Sequence, residues 1–87
     1  MFYIYILLLK NNDLYKGFTS NLKSRIKEHN QGKVESTKNY IPIKLIGYEA
    51  YYCKSDAQRR ERFLKTTEGR RLLKQQYKDV INELKVE

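Results

Sequence analysis

The sequence predicts a small α/β domain of the α+β kind: a three-stranded antiparallel sheet flanked by helices, in the order β-β-α-β-α-α. Three observations predict it. An aromatic and β-branched run opens the chain, an Asn/Asp turn follows, and a second such run comes back, which is a hairpin signature. A further run of the same kind recurs at 43–52. The segments between and after carry helix caps and apolar residues at helical spacing.

The first strand is "FYIYILLL" at 2–9. Both of its faces turn apolar toward the end, as expected of a central strand. "KNND" at 10–13 is a turn cluster, because Asn and Asp tolerate left-handed backbone. "LYKGF" at 14–18 returns antiparallel. Strand alternation puts Tyr3, Tyr5 and Leu7 on one face and lets Tyr15 and Gly17 share a face of the second strand. Whether Tyr5 and Tyr15 look the same way depends on register, while Lys16 points opposite to Tyr15.

"TSN" at 19–21 supplies helix caps. The helix at 21–30 carries Leu22, Ile26 and His29 on one stripe with Arg25 beside it, and Gly32 marks its end. Residues 33–42 form a basic polar loop closed by Pro42. "IKLIGYEAYY" at 43–52 is the third strand, with Gly47 at a bulge. Ser55 and Gln58 make a capping-box pattern for a helix running to Lys65. "TTEGRR" breaks that helix, and one last amphipathic helix presents Leu72, Leu73, Gln76, Tyr77, Val80, Ile81 and Leu84 on one side.

With 87 residues the chain has room for one domain (1–87) and one modest core. Its single cysteine, Cys53, excludes an internal disulfide and a Cys-rich zinc site, and predicts a buried or half-buried thiol in a reducing compartment. The opening apolar run is far shorter than the roughly 20 residues a membrane span needs, and it lacks signal-peptide flanks. A cytoplasmic protein without a membrane partner is expected, as a monomer or weak homodimer. Net charge is +8, from 18 Lys+Arg against 10 Asp+Glu, which biases so small a domain toward polyanions, nucleic acid above all.

Most of the eight tyrosines are expected to be packing residues. Taken alone, Arg25 reads as a snorkelling cation and His29 as a packed ring. Glu61 is more telling, since Ala57, Glu61 and Leu64 share the inward face of a helix. That carboxylate serves either in a salt bridge to a neighbouring helix or as a ligand for Mg²⁺, which takes few protein carboxylates and keeps several waters. A metal-binding Glu, a forked Arg cation, Tyr and His proton handlers and a basic surface together suit metal-assisted hydrolysis of a phosphodiester.

On these residues the sequence resembles the GIY-YIG nuclease family, in its small single-domain branch, over roughly 2–75. "YIY" at 3–5 stands where the family has GIY, and "YKG" at 15–17 where it has YIG. "FTSNLKSRIKEHNQGK" resembles the helix with Arg and His, and "STKNYIPIKLIGYEAYYCKSDAQRRERFLK" the threonine-containing loop, third strand and glutamate helix. The resemblance implies that Tyr5 and Tyr15 are the motif tyrosines, one of which positions or deprotonates the attacking water. It makes Arg25 the phosphate-binding arginine, His29 a proton-transfer assistant, and Glu61 the carboxylate for a single Mg²⁺ or Mn²⁺ ion. Gly17 would let backbone lie close to the site. DNA, branched or damaged, is the implied partner, with RNA also admitted. Lys16, Lys23, Lys33, Lys38, Arg60 and Arg70 are the cations expected to hold it.

Three departures stand out: Tyr3 replaces the first glycine, Phe18 replaces a lysine some relatives have after the second triplet, and no asparagine match follows the glutamate helix. The departures weigh against catalysis, but motif completeness and the basic charge make a metal-dependent DNA endonuclease the leading reading. A non-catalytic nucleic-acid-binding module that keeps the fold is the alternative, and a protein-interaction adaptor the third.

Overall fold

The computed structural model describes residues 1–85. Three strands, β1 (Phe2–Leu8), β2 (Leu14–Thr19) and β3 (Lys44–Tyr51), form one antiparallel sheet in the order β2-β1-β3. The apolar run therefore occupies the centre, as its two-sided hydrophobicity requires. The hairpin turns at Asn12, whose φ of 70° is one that Asn tolerates. Opposite β3, Ile6 pairs with Gly47 but Leu7 pairs with Leu45, so a bulge sits next to Gly47 as expected.

Helices cover both faces. Ile4 and Ile6 point to one, where Ala57, Leu64 and Leu73 complete a buried cluster. Those three come from α2 (Lys54–Leu64) and α3 (Thr67–Gln76). Tyr5 and Leu7 point to the other face, against Leu22 and Ile26 of α1 (Leu22–Asn30) and Ile41 and Ile43 of the following loop. One modest core is thus split by a single sheet.

Local signals explain most boundaries. The Asn21 side chain accepts from the Ser24 N–H and opens α1, which ends just before Gly32 (φ 72°). Thr66 separates α2 from α3: its Oγ1 accepts from the Gly69 N–H at 3.1 Å and donates to the Phe63 carbonyl at 2.6 Å. The break within "TTEGRR" is therefore short, and α3 already begins at Thr67.

Three expectations are corrected. The last helix is two: α3 ends and α4 (Lys78–Leu84) begins at Tyr77, which caps both with φ −104° and ψ 17°. Tyr77 leaves helical geometry where its ring lies against Gly47 of β3, a spot a larger residue would fill. Second, Cys53 and not Ser55 is the N-cap of α2, with no side-chain cap bond, so the capping box does not form. Third, Cys53 is exposed, because the chain turns outward past Tyr51 before α2 begins.

Across β3 and α2, Glu49 receives a forked pair of bonds from Arg60 (Nε 3.0 Å, Nη2 3.1 Å) and one from the Tyr51 hydroxyl at 2.6 Å. Burial pushes the Glu49 carboxyl up, but the bonds from Arg60 and Tyr51 together outweigh it and hold it below its usual value. The Tyr51 phenol is pushed up to about 12, by burial first and then by its bond to Glu49. This network fastens one flank of α2 to β3. The Arg60 guanidinium also lies 5.7 Å from the Phe63 ring centroid.

Candidate active site

The hairpin register decides which tyrosines meet. Tyr5 pairs with Gly17 and Leu7 with Tyr15, so Tyr5 and Tyr15 share a face, their ring centroids 6.3 Å apart. The Tyr5 ring leans over Gly17, where an added Cβ would collide with its Cζ and hydroxyl. Glycine at this position is thus a steric requirement of Tyr5.

Helix α1 supplies the partners. The Tyr5 hydroxyl lies 2.9 Å from His29 Nε2 and 3.4 Å from Arg25 Nε. His29 Nδ1 lies 2.7 Å from Thr37 Oγ1, in the loop after α1. Arg25 can only donate, so the Tyr5 oxygen accepts from it. The assignment that then leaves neither ring with an unmet donor or acceptor has Tyr5 O–H donating to Nε2 and Nδ1–H donating to Thr37. The Tyr15 ring closes the cluster edge-on, 5.3 Å from the His29 ring.

Electrostatics agree with that neutral imidazole. Burial lowers the His29 pKa, and the Arg25 charge lowers it further. Burial raises the Tyr5 pKa, partly opposed by its bond to Arg25, and the negative charge of Glu61 adds to the upward push. At neutral pH Tyr5 is therefore a phenol.

Glu61 comes from α2, on the opposite face. It exposes 23% of its side chain and meets Lys65 at 3.4 Å, a pair within its own helix and not to a neighbouring one. Its negative charge adds to the upward push on the Tyr5 pKa. Arg25 is 35% exposed and makes a loose 3.6 Å pair with Glu28, while Tyr15 is half-buried. Tyr5 and His29, by contrast, are 1% and 0% exposed. The cluster thus has a buried floor of Tyr5, His29 and Thr37, and Tyr15, Arg25 and Glu61 reach solvent.

Among the described residues no three His, Cys, Asp or Glu side chains gather into a closed metal cage. One partly exposed carboxylate, paired among the described residues with Lys65 alone at 3.4 Å, still suits a hydrated Mg²⁺ that takes its other ligands from water and substrate phosphate. Glu61 is the residue that would hold it.

The six surface cations do not stand alike. Lys23 and Lys33 are exposed, and Lys38 pairs with Glu35 at 3.0 Å. Arg60 is committed to Glu49 and so is drawn into the fold. Lys16 faces away from Tyr15, toward Arg70. Sequence reasoning did not single out Thr37, since a lone threonine in a polar loop has no periodicity to betray that it is fully buried.

A polar cluster centred on a buried tyrosine, carried by a three-stranded sheet with helices on both faces, defines a small α+β domain built for polar chemistry. The GIY-YIG catalytic domain matches residues 1–78, and the chain belongs to this family of nucleases. It is 42% identical to UPF0213 protein SH2523 of Staphylococcus haemolyticus over 73 residues, 83% of this chain and 89% of that one. It is 44% identical to UPF0213 protein CPE1444 of Clostridium perfringens over 66 residues, 75% of this chain and 71% of that one. UPF0213 protein SAG0778 of Streptococcus agalactiae is 38% identical over 64 residues, covering 72% and 73%. No solved structure matches. No helix among the described residues is long and apolar enough to cross a membrane.

Proposed function

We propose that the protein is a metal-dependent endonuclease that hydrolyses DNA phosphodiester bonds. The observation that carries this reading is the Tyr5 hydroxyl, bonded at once to Arg25 and His29 in a cluster that Tyr15 and the Glu61 charge complete.

In this reading the two tyrosines divide the work by exposure. Tyr5 is buried, so it positions: its oxygen fixes Arg25 and its proton fixes the His29 tautomer, which Thr37 holds from behind. Arg25 keeps its remaining guanidinium N–H groups for a phosphate and neutralises charge as it builds there. Tyr15 reaches solvent and orients the attacking water. Glu61 would hold the divalent ion, Mg²⁺ or Mn²⁺, and the chemistry gained is Lewis-acid charge at the phosphoryl oxygens. One water is consumed per bond: its oxygen becomes a phosphate oxygen, one proton is released, and the departing ester oxygen takes one up.

The test is a cleavage panel of single-stranded, nicked, flapped and duplex DNA plus RNA, with and without Mg²⁺ or Mn²⁺. Metal-dependent cleavage is expected with the wild type, and none with Glu61→Gln, which keeps its affinity for DNA. No turnover on any substrate, with binding intact, would replace this reading by the non-catalytic module.

A further inference from the structure

On the face of the sheet opposite Tyr5, the outer flank of β2 meets the start of α3. Lys16 pairs across the hairpin with Ile6 and so points to this face. A cleft of about 340 Å³ opens there, lined by Asp13, Leu14, Lys16, Arg70, Leu73 and Lys74. Three of its six lining residues are cations, and among the described residues none of the three has an ion pair within 4.0 Å. Arg71, next to Arg70, is by contrast paired with Glu68 at 2.6 Å.

Folding gains nothing by crowding like charges. The Lys16 ammonium is disfavoured first by burial and then by Arg70, Lys65 and Lys74, with Asp13 the opposing charge. Lys65 also meets Glu61 at 3.4 Å. Lys65, the ion-pair partner of the candidate metal carboxylate, thus adds its charge to the field at Lys16 in the cleft.

We propose that this cleft is a second phosphate subsite, holding the backbone of the nucleic-acid strand as it leaves the scissile phosphate and passes over the edge of β2. The proposal rests on the nuclease reading for its direction, but its own content is a binding site for a phosphodiester oxyanion. Lys16 and Lys74 act as point charges and Arg70 as a fork for one phosphate. The site carries no base information, so it sets path and affinity without sequence preference.

The experiment measures binding of labelled single-stranded and duplex oligonucleotides by anisotropy, in chelator so that cleavage cannot intervene, across a salt series. The Arg70→Gln/Lys74→Gln protein is expected to bind more weakly. Its slope of log affinity against log salt should fall by about 0.7–0.9 for each phosphate that is no longer neutralised. Arg70→Lys/Lys74→Arg should restore the slope, which separates charge from folding. An unchanged slope in the neutral variant overturns the subsite and leaves the nuclease reading standing. A lowered slope in a protein that cleaves nothing supports the subsite and sinks the nuclease reading. If inorganic pyrophosphate shifts the Lys16, Arg70 and Lys74 resonances while the oligonucleotide does not, the cleft takes small anions and the strand path is wrong.

Discussion

The ring of Tyr5 lies over Gly17, its direct partner across the hairpin, and the hydroxyl that emerges there is the one bonded to His29 and Arg25. The two residues are one device, since a side chain at 17 would displace the ring that organises the site. Gly17→Ala should destabilise the fold by about 1–3 kcal/mol through overpacking. For a domain of this size, thermal unfolding should shift down by about 4–8 °C per kcal/mol. Cleavage should fall further than stability alone explains. A protein with unchanged melting and full activity would show that Tyr5 need not sit over Gly17.

Tyr5→Phe keeps the ring over Gly17 but removes the hydroxyl. His29 Nε2 then lies buried without its donor, at a cost of about 1–3 kcal/mol. The variant should melt earlier, and imidazole resonances should report a changed His29 tautomer balance. An unchanged imidazole spectrum would refute the bond assignment.

Arg25→Ala should lower the cleavage rate by about 10²–10³, the range typical for removing one preorganised donor at developing charge. Substrate affinity should fall less, because the other surface cations remain. A loss confined to affinity would recast Arg25 as a binding residue only.

Acid should weaken the fold in two windows. The His29 pKa is lowered from 6.5, so the unfolded chain binds its proton first. Stability from this group is complete above about 6.5 and is lost as pH falls through the lower native value. Glu49 is lowered from 4.5 in the same sense, so its contribution fades below that pH. Denaturant midpoints followed against pH should flatten in the upper window for His29→Gln and in the lower window for Glu49→Gln. No flattening in either variant would contradict these assignments.

Glu49→Gln should also cost about 1–2 kcal/mol at neutral pH, because Arg60 loses its anion while both groups are only partly screened by solvent. Among the described residues Glu49 bonds Arg60 and Tyr51 and none of Tyr5, Tyr15, Arg25, His29 or Glu61. Cleavage per folded molecule should therefore be unchanged. A rate loss would tie this network to the site.

The fold was largely legible because its signals are local. Two-sided hydrophobicity marked β1 as central, and Asn21 and Gly32 bracketed α1. Failures came where distant parts of the chain overrode local preference. Seven residues of continuous helical pattern run on past Tyr77, yet the chain breaks there against Gly47. Ser55 and Gln58 had the spacing of a capping box, but where β3 ends set the cap at Cys53.

By itself the sequence determined the three strands, the first helix, the central strand, the family and the cast of polar residues, since alternation, caps and motif spacing are written along the chain. Only the tertiary structure decided their relations. Register put Tyr5 over Gly17 and beside Tyr15. The fold of the loop delivered Thr37 to His29. Burial then left Tyr5 as the floor and Tyr15, Arg25 and Glu61 at the surface. It also committed Arg60 to Glu49 while leaving Lys16, Arg70 and Lys74 around one cleft. Exposure and pairing depend on what lies across the sheet, and no spacing along the chain encodes that distance.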